Sequence, residues 1–160
     1  MKTLLKALGV VVVCLILVLV ILSIMGLDPH ERRPGLWLKG NLATTPVTDW
    51  SFTDAYPTVK IQTQSWYLLP HSVTILCIAY NGQLYVASVY PAGGPNHGWN
   101  ENIMRDPHVR LKIGDKVYDR TVSVVSDPAE KEGVMEARGK KYPQLKVPEN
   151  PSIHIFHVVG

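Results

Sequence analysis

Residues 72–90, SVTILCIAYNGQLYVASVY, are two β-rich runs divided by Asn81-Gly82. Asn-Gly between such runs marks a two-residue hairpin, because a type I′ turn needs positive φ at both central positions. The turn sets the register expected on either side: Tyr80 opposite Gln83, Cys77 opposite Val86, and Ile75 opposite Ser88. Residues on both faces of these strands are largely apolar, so the hairpin is expected to be buried on both sides. A barrel wall covered by helices or by a partner satisfies that; an open, wetted hairpin does not.

Downstream, residues 93–118 read GGPNHGWNENIMRDPHVRLKIGDKVY. A Gly-Gly-Pro corner leads into HGWNENIMRDP, which suits a short helix stopped before Pro107. Val109, Leu111 and Ile113 then alternate with polar residues, as a half-exposed strand should. Gly114-Asp115 turns the chain into KVYDRTVSVV. Ser126-Asp127-Pro128, followed by Glu130, carries a capping residue, Pro at the first helical position and an acid in the first turn. That helix is expected to end near Arg138-Gly139, and PSIHIFHVVG to form a closing strand. Upstream, Val59, Ile61 and Thr63 alternate with Lys60 and Gln62 as a further strand.

The first 57 residues differ in character. From Ala7 to Leu27 the chain is uncharged and almost wholly apolar. A helix of that length reaches about 31 Å, matching a hydrocarbon core of roughly 30 Å. The run is longer than a secretory signal core and lacks a good small-residue cleavage site. It therefore reads as an uncleaved transmembrane anchor. Lys2 and Lys6 precede it; Arg32, Arg33 and Lys39 follow. The short basic tail favours an N-terminus in the cytoplasm and the domain outside. Residues 28–57, rich in Pro, Gly and polar groups, read as a juxtamembrane linker that settles onto the domain through Trp37, Trp50 and Phe52, with the interfacial bilayer as the other setting for Trp37. The expected organisation is 1–27 anchor, 28–57 linker and 58–160 a mainly β barrel with peripheral helices.

Sixteen Lys and Arg, two of them ahead of the apolar run, face 13 Asp and Glu. The domain is thus near neutral and carries no basic stripe for nucleic acid. Cys14 falls in the apolar run and Cys77 in a strand, so no internal disulfide is expected. No nucleophile elbow, phosphate loop, zinc-protease motif or cysteine cluster is present, which leaves hydrolase chemistry unsupported. Of six histidines, His154 and His157 are three apart and point to opposite faces of a strand, while His30 and His108 fall on exposed segments. Only His71 and His97 remain as a conceivable ligand pair. The expected number of metal sites is none.

The order of elements, with YNGQLYVAS followed by GGPNHGWNENIMRDPHVRLKIGDKVY, resembles the split β-barrel flavin-binding proteins. The similarity is to their deazaflavin (F420)-dependent nitroreductase branch, related to pyridoxamine-phosphate oxidases. The residues that carry it are Val86-Ala87-Ser88, Gly93-Gly94, His97, Trp99, Asn102-Ile103, Asp106-Pro107-His108-Val109 and Gly114. The resemblance spans roughly residues 58–125, with a final strand at 152–159. It implies a split β-barrel, FMN or an F420-type deazaflavin as cofactor, and hydride chemistry on nitro-type substrates; the apolar anchor would suit a quinone or another lipid-phase substrate. The resemblance also implies dimerisation through the sheets. One departure stands out. Where the family carries an Arg-containing segment for cofactor phosphate, this chain has TQSWYLLPHSVT (63–74), without Arg or Lys.

The cofactor-binding residues expected on this basis are Ser88, Gly94, His97 and Trp99, with His71, Ser72 and Thr74 as further contacts. Free amides at the start of the helix in HGWNENIMRDP suit an anionic group, and Trp99 offers a stacking surface. The competing roles are plain ones: Trp99 plugs the barrel end, His97 caps the helix, and the hydroxyls bond nearby backbone. In the expected register Thr74 and Ser88 lie on opposite faces. Two functions follow: a membrane-anchored flavin- or deazaflavin-dependent oxidoreductase, or a non-enzymatic accessory subunit of a membrane complex whose cofactor site has degenerated.

Overall fold

In the computed structural model, which describes all residues except Met1, Arg32 and Pro95, the chain forms eight strands in one sheet and three α-helices. Arg32 among the flanking charges and the Pro of the Gly-Gly-Pro corner thus lie outside the described residues. The strands are β1 (Asn41–Leu42), β2 (Val59–Gln64), β3 (Pro70–Ile75), β4 (Cys77–Tyr80), β5 (Gln83–Pro91), β6 (His108–Ile113), β7 (Lys116–Val124) and β8 (Pro151–Val159). The helices are α1 (Lys2–Met25), α2 (Gly98–Arg105) and α3 (Pro128–Lys141), with a 3-10 turn at Ser51–Ala55.

The sheet runs β3-β2-β6-β7-β8-β5-β4, with β1 added in parallel to β7. Its two end strands, β3 and β4, are consecutive in the chain and separated by Leu76 alone. A sheet whose first and last strands are joined by one residue must curl until its ends meet. The result is a barrel that is closed by a covalent corner and split beside it.

Side-chain alternation divides the apolar residues accordingly. Cys77, Leu84, Val86, Phe156 and Val158 point inward, to a core shared with Ile61, Leu111 and Trp50. Ile78, Tyr85 and Ile155 point outward, beneath Val134 of α3 and the following Tyr142. The hairpin is buried on both faces, and α3 is what covers the outer one. Asp127 caps that helix by accepting from Glu130 N at 2.8 Å.

The Asn-Gly register holds where β4 exists: Cys77 pairs with Val86 and Tyr80 with Gln83. It fails one step beyond. Ile75 pairs with Val59 of β2, and Ser88 pairs with His154 of β8. The corner at Leu76 hands the chain to the other end of the sheet, so β5 outruns its hairpin partner. Asn81 and Gly82 sit at φ 50° and 72°. Asn81→Ala with Gly82→Val forces a β-branched residue into this region, and a loss of about 1–3 kcal/mol is expected from thermal or urea unfolding. A double mutant that melts within a degree of wild type would contradict the turn assignment.

The segment after α1 forms a collar against β2 and β3. Leu27 N donates to Trp37 O at 3.0 Å, and Leu36 N donates back to Leu27 O at 2.8 Å. Gly35 and Ser72 exchange two backbone bonds, and Gln62 Oε1 accepts from Leu38 N at 2.7 Å. Asp28 joins Lys60 at 2.7 Å and Lys112 at 2.6 Å, lysines that face each other on neighbouring strands. Trp50 is buried in the barrel core, whereas Phe52 is exposed and Trp37 half-buried.

Burial alone would raise the Asp28 pKa, but the bonds and charges of Lys112 and Lys60 outweigh it and hold the carboxyl below 3.8. Because the folded pKa is the lower one, the carboxylate's contribution is present above the ordinary carboxylate range. It is lost as pH falls through the depressed value. Asp28→Asn should therefore cost about 1 kcal/mol near neutral pH, and its melting temperature should converge on wild type as pH falls below the ordinary carboxylate range. Parallel melting curves at all pH values would count against the ion-pair role.

Candidate cofactor cleft at the split

The break at Leu76 also makes a cleft. Where β4 ends, Ala87, Ser88 and Val89 of β5 lose their neighbour on that edge, and the gap between them and Val73–Leu76 stays open. The cleft measures about 430 Å³, within the usual size of small-molecule sites. Trp99 of α2, His97 just before that helix and Arg138 of α3 complete its walls, and Glu31 and Arg33 of the collar stand at its rim.

Trp99 is held by packing on Phe156, ring centroids 5.7 Å apart, and is almost fully buried where it lines the cleft. His97 is exposed at the position preceding α2, but its side chain makes no capping bond. Its Nδ1 instead lies 3.4 Å from Ser88 Oγ, a long contact. Tyr90 stands edge-on to the His97 ring and its hydroxyl meets His154 Nε2 at 3.1 Å. The cleft thus gathers the hydroxyls of Thr58, Thr74 and Ser88 and the His97 imidazole beside apolar Ile75, Leu76 and Val89.

Four of the seven expected residues, Thr74, Ser88, His97 and Trp99, line this one cleft. Thr74 and Ser88 were expected on opposite faces; they line the same cleft, one from each side of the gap, because the corner at Leu76 breaks the register linking them. The other three do not line it. Ser72 is fully buried, with its Oγ unpartnered and its backbone bonded to Gly35. His71 is half-buried, its Nδ1 is likewise unpartnered, and burial lowers its pKa. Gly94 sits in the preceding loop, its N donating to Pro91 O at 3.0 Å. His71 and His97 therefore do not converge. Among the described residues no cluster of three or more His, Cys, Asp or Glu could hold a metal ion. His154 and His157 do face apart: the first meets Tyr90, and the second stacks on Tyr85 at 4.8 Å.

Arg33 and Arg138 were not anticipated as site residues. The stretch 63–74 has no cation, yet among the described residues Arg33 of the collar and Arg138 in the last turn of α3 line the cleft. Nothing in the local sequence marks either. Their positions depend on how distant elements pack.

No family model matches the chain, and no curated protein matches it. Solved structures do. One, described as a domain-swapped dimer, is 27% identical, covers 64% of this chain and 80% of its own, and superposes with a TM-score of 0.50. A pyridoxamine 5′-phosphate oxidase candidate from Listeria innocua is 17% identical over 68% of this chain and 87% of its own, at a TM-score of 0.51. HutZ, the heme storage protein from Vibrio cholerae, is 14% identical over 68% and 84%, at 0.52. The identities are low and the shared architecture is the same: a mainly antiparallel split barrel with flanking helices, the fold of this chain.

Proposed function

We propose that this protein binds a flavin-type cofactor, FMN or a deazaflavin, in the cleft at the split, and serves as a membrane-anchored oxidoreductase. The observation that carries the reading is the cleft itself. It brings apolar, hydroxyl, imidazole and cationic groups together where the sheet's end strands part. A flavin-type group needs a flat apolar berth and a cationic partner for its tail. Ile75, Leu76, Val89 and Trp99 offer the first, and Arg33 and Arg138 the second. The Listeria protein's description, which names an oxidase acting on a phosphorylated substrate, is in keeping with this. When bound, such a group supplies hydride or electron transfer. The chain's part is to orient it, with Thr74, Ser88 and His97 bonding its polar edge and the apolar wall excluding water.

The anchor is part of the same proposal. The 24 residues of α1 are long and apolar enough to cross a bilayer, and none of the apolar window is buried against the domain. So much exposed apolar surface is unsuited to water. N-terminus inside and domain outside follows from Lys2 and Lys6 at the short end. A lipid-soluble quinone or a nitro compound partitioned near the surface suits a cleft whose rim includes the collar residues Glu31 and Arg33. Assembly as a homodimer is supported by the domain-swapped neighbour.

Two measurements test this. The absorbance spectrum of full-length protein purified in detergent should show a flavin or deazaflavin band, or acquire one with a dissociation constant in the micromolar range after addition. If no chromophore co-purifies and none binds at tens of micromolar, the accessory-subunit reading replaces the enzymatic one. For the anchor, the protein should stay with membranes through a high-salt wash. Mature protein that begins near residue 28, free in solution, would refute it.

A further inference from the structure

Arg138 is 5% exposed, and its Nε has no hydrogen-bond partner. Among the described residues its guanidinium forms no ion pair; the acids of the domain are engaged elsewhere or stand in solvent. A guanidinium stays charged at every accessible pH. Removing it from water without a partner is costly, and a Leu or Met would pack at such a position without that cost. Helix packing therefore does not account for the residue. Its place on the cleft wall does, because the missing counter-charge can arrive from outside. The other described ionised groups lining the cleft, Glu31 and Arg33, belong to the exposed collar, so among the described residues Arg138 is the only buried charge there.

We infer that Arg138 is the anchor for a phosphate-type dianion at the α3 end of the cleft. It takes the part that the Arg-free stretch 63–74 leaves vacant, from a different element of the fold. The planar fork of a guanidinium matches two phosphate oxygens at once, and Thr74, which lines the same cleft, can supply a hydroxyl donor. The inference deepens the cofactor reading and rests on the same cleft, but it concerns only the charged end of the ligand. It implies selection for phosphorylated over unphosphorylated forms of one ring system.

The test compares FMN with riboflavin, which share the ring and differ in the phosphate. Full-length wild type, Arg138→Met and Arg138→Lys are titrated by flavin fluorescence, and melting temperatures are read without ligand. FMN should bind wild type on the order of tenfold or more tighter than riboflavin. Arg138→Met should erase that preference while leaving riboflavin affinity unchanged, and Arg138→Lys should keep part of it. Without ligand, Arg138→Met should melt at or above the wild-type temperature, because an unpaired buried charge has been removed. A structural arginine would behave in the opposite way. A preference for FMN that survives Arg138→Met, equal losses for both ligands, or a lower melting temperature together with a changed oligomeric state would each overturn the assignment. If neither flavin binds wild type, the cofactor reading fails separately. Inorganic phosphate and pyrophosphate, followed by thermal shift in wild type against Arg138→Met, then decide the anion site: stabilisation of wild type alone supports it, and no difference refutes it.

Discussion

Gly35→Ala is expected to unfasten the collar. A Cβ built on Gly35 would stand 2.6 Å from Pro29 N and 2.7 Å from the carbonyl carbon of Asp28, and closer still to Leu27 O. These are backbone atoms, so no side-chain rotation relieves the clash. The two arms of the collar must part, which strains the Leu27–Leu36 bond and the paired bonds of Gly35 to Ser72. The cost should reach about 2–3 kcal/mol, at the upper end of overpacking effects. It should appear as a lower melting temperature and as new proteolytic cleavage between residues 26 and 40. Because Arg33 and Glu31 lie in the collar and stand at the rim of the cleft, cofactor affinity should fall as well. Unchanged melting and protection would show that the collar is not fastened as described.

Trp99→Ala should have the other large effect. The indole is almost fully buried, rests on Phe156 and joins the barrel core to the cleft wall. Truncating a buried aromatic to alanine costs about 3–5 kcal/mol, measurable by urea unfolding in detergent. Trp99→Leu keeps much of the core contact and gives up the aromatic wall. It should fold with a smaller loss yet bind FMN more weakly than wild type. If the leucine variant binds FMN as wild type does, Trp99 is a barrel plug and nothing more.

Local chemistry made much of this fold readable. Asn81-Gly82 fixed the hairpin because few turns tolerate two consecutive positive φ values, and the Asp127-Pro128 start announced α3 through its cap. The two-sided apolar pattern of the hairpin asked for a cover, and α3 provides it. The corner at Leu76 was not readable. ILC at 75–77 carries no Gly, Pro or Asn, and a continuous apolar run gives no sign that the chain changes sheet ends. That one residue decides both the register beyond Cys77 and the convergence of Thr74 with Ser88. Arg138 was hidden for a different reason: a basic residue in the last turn of a helix usually complements the helix dipole in solvent, and only tertiary packing buries this one. The collar, likewise, depends on Asp28 meeting lysines 32 and 84 residues away.

Hydrogen exchange of the full-length protein in detergent, with and without saturating FMN, tests the central claim most directly. The account predicts slowed exchange at residues 73–76 and 87–89, at the start of α2 and in the last turn of α3. It predicts no change in the separate groove formed by residues 41–49 with Lys116 and Tyr118. Protection confined to that groove, or no protection at all under conditions where FMN is bound, would contradict a cofactor site at the split of the barrel.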